Sequence, residues 1–335
     1  MTTPETGPQT PPGTTGLALA RSLFETYRTA LLELIPRQLQ TMLVAGLVGE
    51  GSECFGFDDE ISRDHDWGPA FCLWLPDAEL ARRGPVLESA LECLPAEFHG
   101  FPTRMAPAIR SGRTGILGTE SFYAGFLGIP RVPEHWREWR AIPEHHFAVC
   151  TNGAVFMDGP AEAGTRTEPD FTAIRNGLLA HYPAELRKKK IATRCALMAQ
   201  SGQYNLLRSL KRGDRLTATL CAARFAEQAL LLVHLLARKF MPFYKWAARS
   251  SAAASPLGAR VVAGLDQLTS GDMFRGSAAR HRAEEIVEEI CRAVISELYI
   301  QRLSGAAGGW LMDHAHSVQS RIMDAELQQI PILLD

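Results

Sequence analysis

The chain predicts an α+β fold, with a small mixed sheet and flanking helices in the first half and a helical bundle in the second. Three observations predict it. Apolar, β-rich runs of strand length fall between residues 43 and 158. From about Phe171 the apolar residues recur at the 3.6-residue helical period almost throughout. Between the two patterns lies a stretch rich in Gly, Pro and Thr, 159–170, which reads as a linker. The resulting organisation is a disordered tail at 1–15, a first domain at 16–160 and a helical bundle at 171–330. With 335 residues, each domain can bury its own core.

Taken in order, the first helix runs from Leu17 to about Gln40, with Leu19, Leu23, Tyr27, Leu31 and Leu34 at three- and four-residue steps and Pro36 dividing it. Leu43 to Val48 is the first strand, and 64–75 contains the second. Gly68-Pro69 removes a ladder donor there, so that strand is expected at an edge or at a bulge. Asp77 begins a helix reaching about Leu94, interrupted at Gly84-Pro85. A weak strand signal covers 96–101, a second short strand is expected at Gly115–Gly118, and a helix follows on SFYAGFLGI. Trp136 and Trp139 share a helix face, as base-stacking platforms or as core. FAVCTNGAVFMD, 147–158, predicts a hairpin around Asn152-Gly153. Helices are expected near 171–180, 183–211, 214–240, 255–269, 278–303 and 310–328. The one over Leu216–Phe240 is apolar around most of its circumference and should form the buried centre of the bundle.

Composition narrows the function classes. Hydrophobic content of 46%, charged content of 21% and a net charge of −2 are those of an ordinary globular protein and exclude a strongly basic nucleic-acid binder. No apolar run of transmembrane length stands out, and residues 1–15 lack the build of a signal peptide, so a cytoplasmic protein with no membrane partner is expected. The seven cysteines are dispersed without Cys-x-x-Cys spacing, as free thiols in a reducing compartment are. His145-His146 lacks companions at metal-ligand spacing and reads as structural.

The chemistry concentrates in 43–75. In a strand, residues two apart point to one face, so Asp64 and Asp66 would project together, with His65 and Trp67 opposite. Paired carboxylates repel unless a cation lies between them, and hard oxygen ligands suit Mg²⁺, with Mn²⁺ as an alternative. Gly51 allows the backbone close to a phosphate, and Ser52 offers its hydroxyl or amide to the same group. Asp58, Asp59 and Glu60 form an acidic loop between them, either a solvated turn or a source of one more ligand.

An apolar strand, Gly51-Ser52, about a dozen residues and then Asp64-x-Asp66 entering a second strand resembles the DNA polymerase beta-like nucleotidyltransferase superfamily. Within it, GEGSECFGFDDEISRDHDWGP resembles a bacterial family defined only as a domain of unknown function. The resemblance implies that Gly51 and Ser52 hold a nucleoside triphosphate and that Asp64 and Asp66 hold the metals. It also implies a third carboxylate on a later strand. Glu120 is the nearest acid, as that ligand and base or as a residue of the following helix's first turn. LLARKFMPFYKWAAR resembles the helical domain of kanamycin nucleotidyltransferase-type enzymes. That implies Lys245 on the triphosphate and Tyr244 or Trp246 shaping the cleft, against a reading of the aromatics as core anchors and Lys245 as surface.

Nine cations between Arg187 and Arg215 form either a solvated helix face, a wall offsetting phosphate charge, or an RNA-binding patch, and Tyr204 lies among them as a further nucleotide contact. The expected function is Mg²⁺-dependent transfer of a nucleoside monophosphate to an acceptor hydroxyl or amine, with a small-molecule acceptor first. A catalytically inactive nucleotide- or ligand-binding module and an RNA- or protein-directed transferase are the alternatives.

Overall fold

The computed structural model describes residues 15–63, 67–110, 112–159 and 170–335. Residues 1–14 of the expected tail, the Asp64-His65-Asp66 triplet and nearly all of the expected linker lie outside the described residues. The chain divides into two compact units. One comprises Met1–Pro133 with His146–Ala180, and the other Glu134–His145 with His181–Asp335.

The first unit is built on a four-stranded mixed sheet. Its strands are β1 (Val44–Leu47), β2 (Cys72–Leu75), β5 (Gly115–Gly118) and β6 (Ala154–Asp158), in the order β5-β2-β1-β6. A two-residue hairpin, β3 (Glu97–Phe98) and β4 (Phe101–Pro102), stands apart from it. β1 is antiparallel to both β2 and β6, while β2 and β5 run parallel. β2 is buried on both faces, as an apolar run without polar alternation requires. Leu73 and Leu75 enter the core beside Leu23, Phe24 and Leu31 of α1 (Gly16–Leu34) and Leu87 of α3 (Asp77–Leu91). Trp74 points the other way and stacks on Phe171 at 4.0 Å, the first residue of α7 (Phe171–Leu179). The helix expected to open the bundle therefore belongs to the sheet unit.

Several expectations need correction. The second strand begins only at Cys72, and β2 lies inside the sheet between β1 and β5. Gly68, at φ +154, and Pro69 precede it, and the Pro69 carbonyl accepts from the Arg104 amide at 3.0 Å. The proline thus spends no ladder position and demands no edge. α3 also continues through Pro85. The hairpin over 147–158 does not form. Its first half is α6 (Glu144–Thr151), with Phe147, Ala148, Val149 and Cys150 all buried. Its second half is β6, paired with β1. β-propensity reports fit to a half-buried pleat, and four consecutive buried positions fit a helix packed on several sides better.

The second unit is helical: α5 (Trp136–Ala141), α8 (Ala184–Met198), α9 (Leu207–Arg212), α10 (Arg215–Ala237), α11 (Tyr244–Ala254), α12 (Pro256–Ser270), α13 (Gly276–Ile300), α14 (Leu311–Gln319) and α15 (Ala325–Gln329). α4 (Thr119–Leu127) and α2 (Arg37–Gln40) belong to the sheet unit. A π-helical segment, Ala199–Leu206, joins α8 to α9, and a Cβ at Gly202 would lie 2.4 Å from the Phe225 ring of α10. α10 packs against α8, the π segment, α11 and α12, as a central bundle helix should. Contrary to the sequence reading, α10 is long and apolar enough to cross a membrane by length and composition, with half of its most apolar stretch buried here. Its first turns also carry Leu216 and Leu220 on the surface. Trp139 of α5 is buried against Tyr182 and Phe240, a core role.

Candidate functional site

The turn after β1 is held by a residue far along the chain. The Gly49 amide donates to Asn152 Oδ1 at 3.1 Å, and Asn152 Nδ2 donates to the Gly49 carbonyl at 2.6 Å. Gly153 follows at φ +58, its amide donating to the Cys54 carbonyl at 2.7 Å. A Cβ there would lie 1.8 Å from the Leu47 carbonyl oxygen, so only glycine fits. Arg175 Nη2 closes the arrangement by donating to the carbonyls of Thr151 and Asn152. The Asn-Gly pair does not turn a hairpin; it buttresses the Gly49–Ser52 loop.

Within that loop Gly51 is extended and Ser52–Phe55 forms a single 3-10 turn. Among the described residues, neither the Ser52 amide nor its hydroxyl donates a hydrogen bond. The Glu53 carboxylate folds back over Gly51, where a Cβ would lie 2.3 Å from Oε1. Burial is the largest influence on Glu53 and raises its pKa. Its own amide, Arg104 and Arg113 pull the other way, while Asp58 adds to the rise. Asp58 is not a solvated turn residue. Its Oδ2 accepts from the Gly16 amide at the start of α1 (2.7 Å) and from Trp67 Nε1 (3.1 Å), and its Oδ1 is buried without a hydrogen bond. Asp59 makes the turn instead, through hydrogen bonds with Ser62.

Gly51 and Ser52 thus lie beside two neighbouring carboxylates, Asp58 of the acidic loop and Glu53, which the sequence reading did not name. The signal for them was present: Glu53 directly follows Gly51-Ser52, and Asp58 opens the acidic loop. Carboxylate oxygens are the right kind of donor for Mg²⁺. Among the described residues, however, no group of three or more His, Cys, Asp or Glu gathers as a metal-ligand set. They suit an oxygen-ligated cation in kind but not in number.

Glu120 follows β5 in the first turn of α4. Its Oε2 accepts from the Asp77 amide at 2.7 Å, while the Asp77 carboxylate accepts from the Ser121 amide at 3.1 Å and from its hydroxyl. The two acids therefore cap each other's helices, each supplying an acceptor to an orphan N–H.

Tyr204 and Lys245 lie in the helical unit. Tyr204 sits in the π segment, half-exposed, with the Arg208 guanidinium 4.2 Å over its ring. Lys245 is the second residue of α11, its Nζ 5.5 Å from the Trp246 ring. Tyr244 is 75% exposed and so is not a core anchor. Gln203 is structural, bridging Glu288, the Gly309 carbonyl and the Leu311 amide.

The first cluster of the basic run is not a solvated face. Buried Arg187 donates to the Leu235 and Leu236 carbonyls at the end of α10 and to Gln301. Lys188 reaches Glu185 and the Arg321 carbonyl. Lys189, fully buried, donates to Gln319 and to the carbonyls of Ile330 and Pro331. Arg187 adds a charged donor in the last turn of α10, at the negative end of its dipole, while Lys188 and Lys189 reach carbonyls of the chain just beyond α14 and α15.

A family model described as a domain of unknown function (DUF4037) matches residues 139–247. That stretch runs from α5 into the first turn of α11, so it covers the basic run and Tyr204 and Lys245 but not the Gly51-Ser52 loop. No curated protein and no solved structure matches the chain.

Proposed function

We propose that the sheet unit binds a nucleoside triphosphate with a divalent cation and transfers its nucleoside monophosphate to a small-molecule hydroxyl or amine. One observation carries the reading. β1 and β2 are antiparallel with Gly46 opposite Cys72, so the segment that leaves β1 returns to the same end of the sheet. That segment contains Gly51-Ser52, Glu53, Asp58 and the Asp64-x-Asp66 pair in sequence. Ser52 contributes donors with no partner among the described residues, as a phosphate-binding turn needs. Asp64 and Asp66, with Glu53 or Asp58, would hold Mg²⁺ or Mn²⁺. When bound, such a cation neutralises charge on the phosphates. The nucleotidyltransferase-type fold and the triphosphate roles of Tyr204 and Lys245 belong to the same proposal. So does a cytoplasmic location, which all seven cysteines being free thiols favours.

Glu120 favours a second reading. An acid engaged in helix capping is a poor general base, and a site without one binds nucleotide without turning it over. Calorimetry with ATP separates the alternatives. Binding that requires Mg²⁺ and disappears in Asp64→Ala supports the metal–nucleotide site; binding indifferent to both overturns it. Release of pyrophosphate on adding candidate acceptors then distinguishes a transferase from a silent binder, and label passing from α-labelled nucleotide to tRNA or protein in an extract would redirect the acceptor class.

A further inference from the structure

The helical unit holds a cluster of charge that the nucleotide site does not use. Residues 330–335 lie along α8. Lys189 Nζ donates to the Ile330 and Pro331 carbonyls at 3.0 and 2.9 Å, and the Thr193 hydroxyl donates to the Leu334 carbonyl at 3.1 Å. The contact ends at Asp335, whose carboxylate takes the Arg194 guanidinium and stands 3.6 Å from Lys190 Nζ. Gln228 Oε1 accepts from Arg194 Nη1 at 2.9 Å and fixes its direction. The three side chains are largely shielded from water, with Lys190 only 8% exposed.

The charges here do not balance. Arg140, Lys189, Lys190 and Arg194 are four cations, and Asp335 and Glu144 are the acids among them. Burial raises the Glu144 pKa towards its neutral form, although Lys190 and Arg194 draw it down. Arg140 makes no hydrogen bond or ion pair among the described residues, and its Nε is buried without an acceptor. Burial lowers Lys189 to about 8; Asp335 opposes that shift and Arg140 adds to it. Two carboxylates against four cations leave an excess of positive charge. A tetrahedral dianion carries more charge and presents more acceptor oxygens to a guanidinium and an ammonium held side by side.

We propose that Lys190 and Arg194 of α8 form a binding site for a phosphate group, free or carried on an ester, and that Asp335 occupies the site in cis as a displaceable competitor. Arg140 supplies a third, longer-range attraction. The site lies wholly within the helical unit and does not depend on the nucleotidyl-transfer reading.

The test is calorimetric titration of inorganic phosphate into the full chain at fixed ionic strength. Asp335→Asn is expected to tighten phosphate binding about tenfold, by removing the competing charge. Arg194→Gln added to Asp335→Asn should abolish the gain, and Arg140→Gln should reduce it. Methyl phosphate binding as well as inorganic phosphate would identify an ester-borne ligand; its exclusion would identify the free ion. Phosphate binding no tighter in Asp335→Asn than in the unaltered protein, or untouched by Arg194→Gln, overturns the proposal. A second measurement needs no variant, because displacement of 330–335 by phosphate should accelerate amide hydrogen exchange at Leu334. Exchange that stays constant across the titration also overturns it.

Discussion

Asn152 exchanges a pair of hydrogen bonds with Gly49, and the loop that follows β1 takes its shape from that exchange. Asn152→Ala removes both and is expected to cost roughly 1–2 kcal/mol of stability in urea denaturation. If the loop holds a triphosphate as proposed, nucleotide affinity should fall further than stability alone requires, because the Ser52 donors lose their orientation. Glu53 gives a pH signature. Its folded pKa is raised above its ordinary 4.5 by burial, so the native state binds the extra proton between the two values. Stability from this residue is therefore greatest at low pH and falls as pH rises through that window. Glu53→Gln should lessen the decline in a series of melts across pH; Glu144, raised by burial too, keeps part of it. The turn at Gly51-Ser52 was legible in sequence because a glycine and a hydroxyl residue follow an apolar strand. Glu53 was not, because its return over Gly51 depends on a 3-10 turn that propensity does not foretell.

Elements were more legible where they are long and periodic. α1, α10 and the strand at Gly115–Gly118 follow directly from spacing and turn residues. α6 was hidden, since Phe-Ala-Val-Cys-Thr carries strand propensity and becomes helical only through burial. α8 misled in a different way. Its cations suggested a solvated face, yet Arg187 is spent on the C-terminal carbonyls of α10. Arg187→Met should lower stability by about 1.5 kcal/mol, since it removes a charged donor from the Leu235 and Leu236 carbonyls, which keep the Arg238 amide and Gln301 Nε2, and thermal unfolding would show it. A loss under about half a kcal/mol would mean that water or a neighbour replaces the guanidinium.

At the scale of the molecule, two buried histidines weaken the fold in acid. Burial lowers His181 to about 3 and His234 to about 4. The unfolded chain binds protons at both near pH 6.5 while the native state does not, so stability falls as pH drops from about 6.5 towards 4. His234 alone accounts for about 3 kcal/mol of that loss, at 1.36 kcal/mol per pKa unit. Chemical denaturation of His234→Gln across that range should show a shallower fall. The α+β division was readable as a change of period near Phe171, but the membership of α7 was not, because Trp74 calls for Phe171 through a contact made only in three dimensions.

That stack bears on how the polypeptide comes off the ribosome. The sheet cannot complete the cover of Trp74 until synthesis has passed residue 171, and before then it must emit 134–145, which the other unit will claim. Neither half is one continuous stretch, so no single cleavage of the backbone yields two self-sufficient pieces. A fragment stopped at residue 160 should emerge with Trp74 lacking its stacked partner, Phe122 alone remaining edge-on to it, and cling to chaperones or to itself.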